Sequence, residues 1–141
     1  MKISLVRKNE AVHFEAKNED NKTVQLDGAE KIGGEGKGVR PMQLLLMGLG
    51  GCSGIDICLI LKKQRQTVEN FEIEIEGERE KDKEPSLFEE INVVFKLTGD
   101  LDEKRVLRAV SLSMDKYCSV AKTLEQTAKI NYRTELNGNK I

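Results

Sequence analysis

Residues 40–64 read RPMQLLLMGLGGCSGIDICLILKKQ, the one long apolar run in the chain. Pro41 suits the first turn of a helix, where its missing N–H breaks no intrahelical bond. From Met42 to Leu61 only Gln43, Ser53 and Asp56 are polar. Lys62, Lys63 and Arg65 then place positive charge where the last helix carbonyls lack partners. The pattern predicts one helix that is apolar on every side and has to be covered all round. Its length would also suit a membrane span. Asp56 near the middle would be costly in lipid, and amphipathic strand patterns follow, so the run is read as a core helix. Gly48, Gly50, Gly51 and Gly54 each cost up to about 1 kcal/mol against Ala inside a helix. Their concentration predicts close approach of another backbone, or room for a small ligand beside Cys52.

The 141 residues suit a single domain, 1–141. A net charge of -1 gives no pull toward nucleic acid or an anionic membrane. So short a chain, with a helix that wants cover on all faces, predicts a second subunit. Three cysteines, and a start at Met1-Lys2-Ile3-Ser4 that leads straight into mixed polar sequence, predict a reducing, cytoplasmic setting.

Around the helix the patterns alternate. Ile3 and Leu5, then Val12, Phe14 and Ala16, then Val24 and Leu26 predict three short antiparallel strands within Met1 to Asp27, with a turn at Asn18 to Lys22. His13, the only histidine, falls opposite Val12 and Phe14 and is expected to face solvent. Gly33 to Gly38 has phosphate-cradle composition, but its spacing fails the P-loop pattern. It is read as a mobile connection. Val68, Phe71, Ile73 and Ile75, and then Ile91, Val93 and Phe95, predict an antiparallel hairpin, with Phe88 and Val94 off its inner face. Asp100 with Glu103 has capping-box spacing. Val106, Leu107, Val110, Met114 and Tyr117 make a helical stripe that should stop near Cys118. Ser119 is the expected N-cap of a short helix, Val120 to Gln126. A final strand covers Ala128 to Leu136. Strands grouped around separate helices give an α+β fold.

Two cysteines stand in unusual settings. Cys52 is ringed by glycines, so its sulfur could be reached. Cys118 precedes a helix N-terminus, where free N–H groups favour a thiolate. Asp56 lies one turn beyond Cys52 on the same face, and its charge opposes a thiolate unless a cation offsets it. Arg40 and Arg7 are candidates for that cation. The residues alone leave open which cysteine attacks. Cys58, about 120° of rotation from Cys52 at 100° per residue, is read as structural.

Arg40-Pro41-Met42-Gln43-Leu44-Leu45 through Gly50-Gly51-Cys52, with Tyr117-Cys118-Ser119-Val120, resembles the two cysteine motifs of the OsmC/Ohr family, the osmotically induced and organic-hydroperoxide-resistance proteins. The order of elements agrees over nearly the whole chain. The resemblance implies an OsmC-like intertwined homodimer, with antiparallel sheets wrapped around long central helices. It implies a thiol peroxidase that needs no metal or organic cofactor. Cys52 would take an oxygen from an organic hydroperoxide and become a sulfenic acid. Cys118 would close a disulfide with it, and an external dithiol would reduce the bridge. The family's peroxidases carry a glutamate ten positions before the attacking cysteine. Here that position is Met42, and the neighbouring place is Gln43, so a cation for the thiolate would come from Arg40 or, as a looser match, from Arg7. The competing readings are a ligand-binding or redox-sensing homodimer without enzymatic activity, and a structural domain with inert thiols.

Overall fold

The computed structural model describes residues 1–141. They fall into two compact units, Met1–Leu45 and Leu46–Ile141. In the first, β1 (Ile3–Arg7), β2 (Phe14–Asn18) and β3 (Thr23–Leu26) form an antiparallel sheet in that order. The turn before β3 uses Asn21 at φ 60, a value Asn tolerates better than most residues.

The Gly33–Gly38 loop is closed around a buried carboxylate. Asp27 is only 2% exposed. Its Oδ1 accepts from the Gly28 N–H at 2.8 Å, and its Oδ2 accepts from the N–H groups of Glu35 and Lys37 at 3.0 Å each. A parallel bridge from Leu26 to Val39 ties the loop ends. Gly34 is required, since a Cβ there would sit 2.0 Å from the Gly28 carbonyl oxygen. Of the loop's N–H groups, those of Glu35 and Lys37 are thus spent on Asp27 and those of Gly33 and Gly34 on the Glu30 and Ala29 carbonyls, and the mobile connection expected from sequence is an organised turn.

Helix α1 (Pro41–Lys63) follows the apolar run. The Arg40 N–H donates to the Gln43 Oε1 at 2.9 Å, the returning half of a capping box with Pro41 at the first helical position. In the second unit α1 is followed by β4 (Asn70–Arg79) and β5 (Phe88–Thr98), paired antiparallel as the alternation predicts. Phe71, Ile73 and Ile75 point inward while Glu72, Glu74 and Glu76 are exposed. β5 is the inner strand, and Phe88 and Val94, expected off the core face, are buried as well. A β-bulge at Glu78/Arg79 shifts the register and turns Phe88 to the inner face, against Gly77, while Val94 lies on the other face between half-exposed Asn92 and Lys96.

α2 (Glu103–Leu112), a π-helical turn (Ser113–Tyr117) and α3 (Ser119–Leu124) lead to β6 (Lys129–Leu136), which pairs parallel with β5. The sheets are therefore not all antiparallel: β4-β5-β6-β7 is mixed. A long helical crossover is what a parallel pair requires, and the segment from Thr98 to Lys129 supplies it. β7 (Asn139–Lys140) closes on β6 through Asn137 at φ 51 and Gly138 at φ 79, the left-handed pair of a two-residue hairpin.

The cap of α2 is Asp102 rather than Asp100; its side chain accepts from the Arg105 N–H at 2.9 Å. The buried stripe of this segment is Val106, Ala109, Val110, Ser113 and Met114. Leu107 and Tyr117, expected in that stripe, are exposed. The π turn adds a residue before Tyr117 and swings it outward.

α1 buries Leu49, Ser53, Gly54, Ile57 and Leu61 along one side. A Cβ at Gly54 would lie 2.8 Å from Ile73 Cδ1, and one at Gly50 would lie 3.0 Å from Ile75 Cδ1. Two of the four glycines therefore let the helix settle onto β4, as close packing demands. The opposite stripe, Met47, Gly51, Ile55 and Leu59, is exposed. Gly51 has nothing within 4 Å of its would-be Cβ. By length and composition alone α1 could cross a membrane. In this chain one side of it lies against the sheet, and the cover expected on every side is present on one.

Candidate active site

The π turn sets the position of the second cysteine. The Cys118 N–H donates to the Ser113 carbonyl at 2.8 Å, a five-residue step that widens the helix and ends it. Cys118 itself caps α3: its Sγ accepts from the Ala121 N–H at 3.4 Å. The thiol thus takes the place expected of the Ser119 hydroxyl. Cys118 is fully buried, while Cys52, in the fourth turn of α1, is partly exposed.

The two sulfurs belong to one chain and meet. Cys52 Sγ, Cys118 Sγ and an Asp56 carboxylate oxygen all lie within 4.8 Å of one another. A disulfide needs about 2.05 Å between sulfurs, so closure asks for a movement of less than about 3 Å, within reach of side-chain rotation and a shift of the short π segment.

The electrostatics separate the two thiols. Burial pushes the Cys118 thiol up to about 11, and the neighbouring Cys52 sulfur adds to the rise. The Ala121 and Val120 N–H groups pull the other way and are outweighed. The thiolate expected of Cys118 from its helix-end position is therefore not favoured. Desolvation of a buried sulfur exceeds what a six-residue helix returns. Cys118 keeps its proton at neutral pH, and Cys52 is the more accessible sulfur.

Ser113 links the two motifs. Its Oγ donates to the Ser53 carbonyl at 3.2 Å, and Asp56 Oδ2 is 3.5 Å away. Ser53 Oγ donates back to the Leu49 carbonyl at 2.8 Å. Both serines are fully buried, and their hydroxyls are satisfied, as buried polar groups require. Sequence reasoning missed Ser113. The available signal was a lone hydroxyl inside the apolar stripe of α2.

The other candidates lie elsewhere. Arg40 is exposed, has no carboxylate within ion-pair distance, and stands more than three turns before Cys52 along α1. The Arg7 guanidinium is occupied in the β1–β2 loop, where Nε donates to the Ala11 carbonyl at 2.9 Å and Nη2 to that of Glu10. His13 is half-buried rather than open to solvent, and its Nε2 meets Gln25 Oε1 at 2.8 Å. Cys58, read as structural, is exposed. Gln43, in the place of a family glutamate, is used in the helix cap.

Comparisons with known proteins show the family and the fold. The family model for OsmC-like proteins matches residues 34–133, a segment that holds both cysteines. Protein YhfA of Escherichia coli K12 is 46% identical over 101 residues, covering 71% of this chain and 75% of YhfA. The crystal structure of a hypothetical protein from Aquifex aeolicus is 35% identical, with 96% of each chain covered and a TM-score of 0.79. An organic hydroperoxide resistance protein, OsmC from Legionella pneumophila, superposes over 96% of this chain and 97% of its own at a TM-score of 0.72. At 15% identity that last likeness concerns the fold alone. This chain belongs to the OsmC-like family, and its mixed α+β fold with two sheets is the one shared by OsmC and Ohr proteins.

Proposed function

We propose that the chain is a thiol-dependent peroxidase that reduces organic hydroperoxides to alcohols. The observation that carries the reading is the unequal pair: an accessible Cys52 beside a buried Cys118 that stays protonated, with their sulfurs within 4.8 Å. The Cys52 thiolate attacks the O–O bond, takes one oxygen and becomes a sulfenic acid; the departing alkoxide collects a proton from solvent as the alcohol. Cys118 then attacks the Cys52 sulfur. The S–O bond breaks, an S–S bond forms, and the Cys118 proton leaves with the hydroxide as water. An external dithiol restores both thiols, and no metal or organic cofactor enters the cycle. A resolving thiol that ionises near 11 is a poor competitor for the peroxide, which keeps the order of attack fixed.

The apolar stripe of Met47, Ile55 and Leu59 supports a homodimer in which a second copy covers α1; the cytoplasmic setting, without membrane or nucleic acid, is proposed with it. Arg40 is the candidate cation for the thiolate. Arg40 directly precedes α1 and stands more than three turns from Cys52 of its own chain, so the role is proposed for the Arg40 of a second copy. The test is turnover of cumene hydroperoxide with a dithiol reductant. Cys52→Ser is expected to be inactive, and Cys118→Ser to give one turnover and then stop. Full cycling by either variant contradicts the mechanism.

A further inference from the structure

Asp56 has no part in the peroxide chemistry, and its charge disfavours a thiolate beside it. It is partly buried one turn after Cys52, and no lysine or arginine lies within ion-pair distance of it. Its one hydrogen-bond donor is the Ser113 hydroxyl. A carboxylate and two thiols facing one another, without a countercharge, match the needs of a cation that prefers sulfur.

We propose that Cys52, Asp56 and Cys118 form a binding site for a thiolate-seeking divalent cation of the zinc or cadmium kind, with a fourth position open to water. The geometry carries this. One donor atom from each residue lies within 4.8 Å of the other two. Around a tetrahedral ion, with metal–sulfur bonds near 2.3 Å and metal–oxygen bonds near 2.1 Å, these donors stand about 3.6–3.8 Å apart. The three side chains have to contract by no more than about 1.2 Å.

The donor set of two sulfurs and one oxygen selects zinc or cadmium over magnesium or calcium, which take oxygen. Two donors come from one face of a rigid helix, at positions 52 and 56, and the third from the capped start of α3. The surroundings are those of a supported ligand set. Ser113 Oγ stands 3.5 Å from Asp56 Oδ2, and the Ala121 N–H already donates to Cys118 Sγ. Binding is written as one cation plus two thiols giving two metal–sulfur bonds, one metal–carboxylate bond and two protons released to solvent. No electrons move. The bound cation occupies both sulfurs, so the metal-bound pair cannot form a disulfide.

The experiment is an anaerobic titration of the full-length reduced protein with cadmium, read by the thiolate-to-metal charge-transfer band in the ultraviolet. Zinc is then made to compete with a chromophoric chelator. One ion per chain, a band of two-thiolate intensity and release of protons on binding are expected. Cys52→Ser and Cys118→Ala should each halve the band and lower affinity at least about tenfold. Asp56→Asn should keep the two-thiolate band but bind about tenfold more weakly, and Cys58→Ser should match the parent. Circular dichroism of each variant identifies any that fails to fold; Asp56→Asn, altered at a partly exposed side chain, then decides. An affinity unchanged in Asp56→Asn, a band lost in Cys58→Ser, or binding no tighter than to a free dithiol overturns the proposal. The proposal does not use the peroxidase reading. A chain that binds cadmium and ignores peroxide keeps it, and one that turns over peroxide without binding cadmium refutes it.

Discussion

The ionisation of Cys118 is the sharpest consequence of the site. Burial raises this thiol from 9.0 to about 11, against the pull of the N–H groups that cap α3. At pH 8 a thiol that ionises near 11 is about one part in a thousand thiolate, against about one part in ten at 9.0. Alkylation goes through the thiolate, so Cys118 should react about 100-fold more slowly than the same cysteine in the urea-unfolded chain, before any steric slowing. The assay is iodoacetamide labelling across pH 7–11, with the Cys118 peptide followed by mass spectrometry. Cys52→Ala removes a neighbour that opposes ionisation, so the Cys118 inflection should fall while staying above that of the unfolded chain, because burial is the larger cause. The sign for stability follows. Between the unfolded and folded values the native state holds a proton that the unfolded chain has lost. Stability therefore declines as pH rises from 9 toward 11, by up to about 3 kcal/mol from this group. An inflection at or below 9 in the native protein would refute the reasoning, since the helix cap would then outweigh burial.

Three further outcomes are expected. Asp27→Asn loses a charged acceptor of three N–H groups and should lower Tm by several degrees at pH 7. The Lys37 N–H leads in holding Asp27 below the usual carboxylate range, so that stability is present at neutral pH and lost as pH falls through the lowered value; an Asn variant with parental Tm at pH 7 contradicts this. Gly77→Ala puts a Cβ 2.6 Å from Phe88 Cε1, and should cost about 1–3 kcal/mol by urea unfolding through overpacking; a neutral result means the ring has freedom to retreat. Ile55→Lys, a charge on a side chain that is 63% exposed, should leave a lone chain's fold intact but convert a dimer to monomers by light scattering, and unchanged mass for a dimeric parent argues against α1 as the interface.

What was legible in the sequence depended on how local the cause was. The extent of α1 could be read because its apolar run, Pro41 and the closing lysines all act within one element. The β4–β5 hairpin could be read because Phe71, Ile73 and Ile75 alternate with exposed glutamates. The parallel β5–β6 pair was hidden, since strand direction is decided by a crossover of many residues rather than by either strand's pattern. Phe88 was misplaced because the bulge at Glu78/Arg79 breaks the alternation there, a break that the pattern of β5 alone does not announce. At the site, Cys52 and Cys118 stood out through their neighbours and their family resemblance. The protonated state of Cys118 did not, because the N–H donors are local and visible while the burial that overrides them comes from tertiary packing. Asp27 was missed for a related reason: its partners at Glu35 and Lys37 are 8 and 10 residues away, beyond a local turn motif.

The account rests on two thiols of one chain acting in sequence, and thiol counting with peptide mapping tests this most directly. After a stoichiometric pulse of cumene hydroperoxide, the reduced protein should lose two thiols per chain, and the linked peptides should be those of Cys52 and Cys118 within one chain. Loss of a single thiol, a bridge that includes Cys58, or no loss while a free dithiol is oxidised would contradict it.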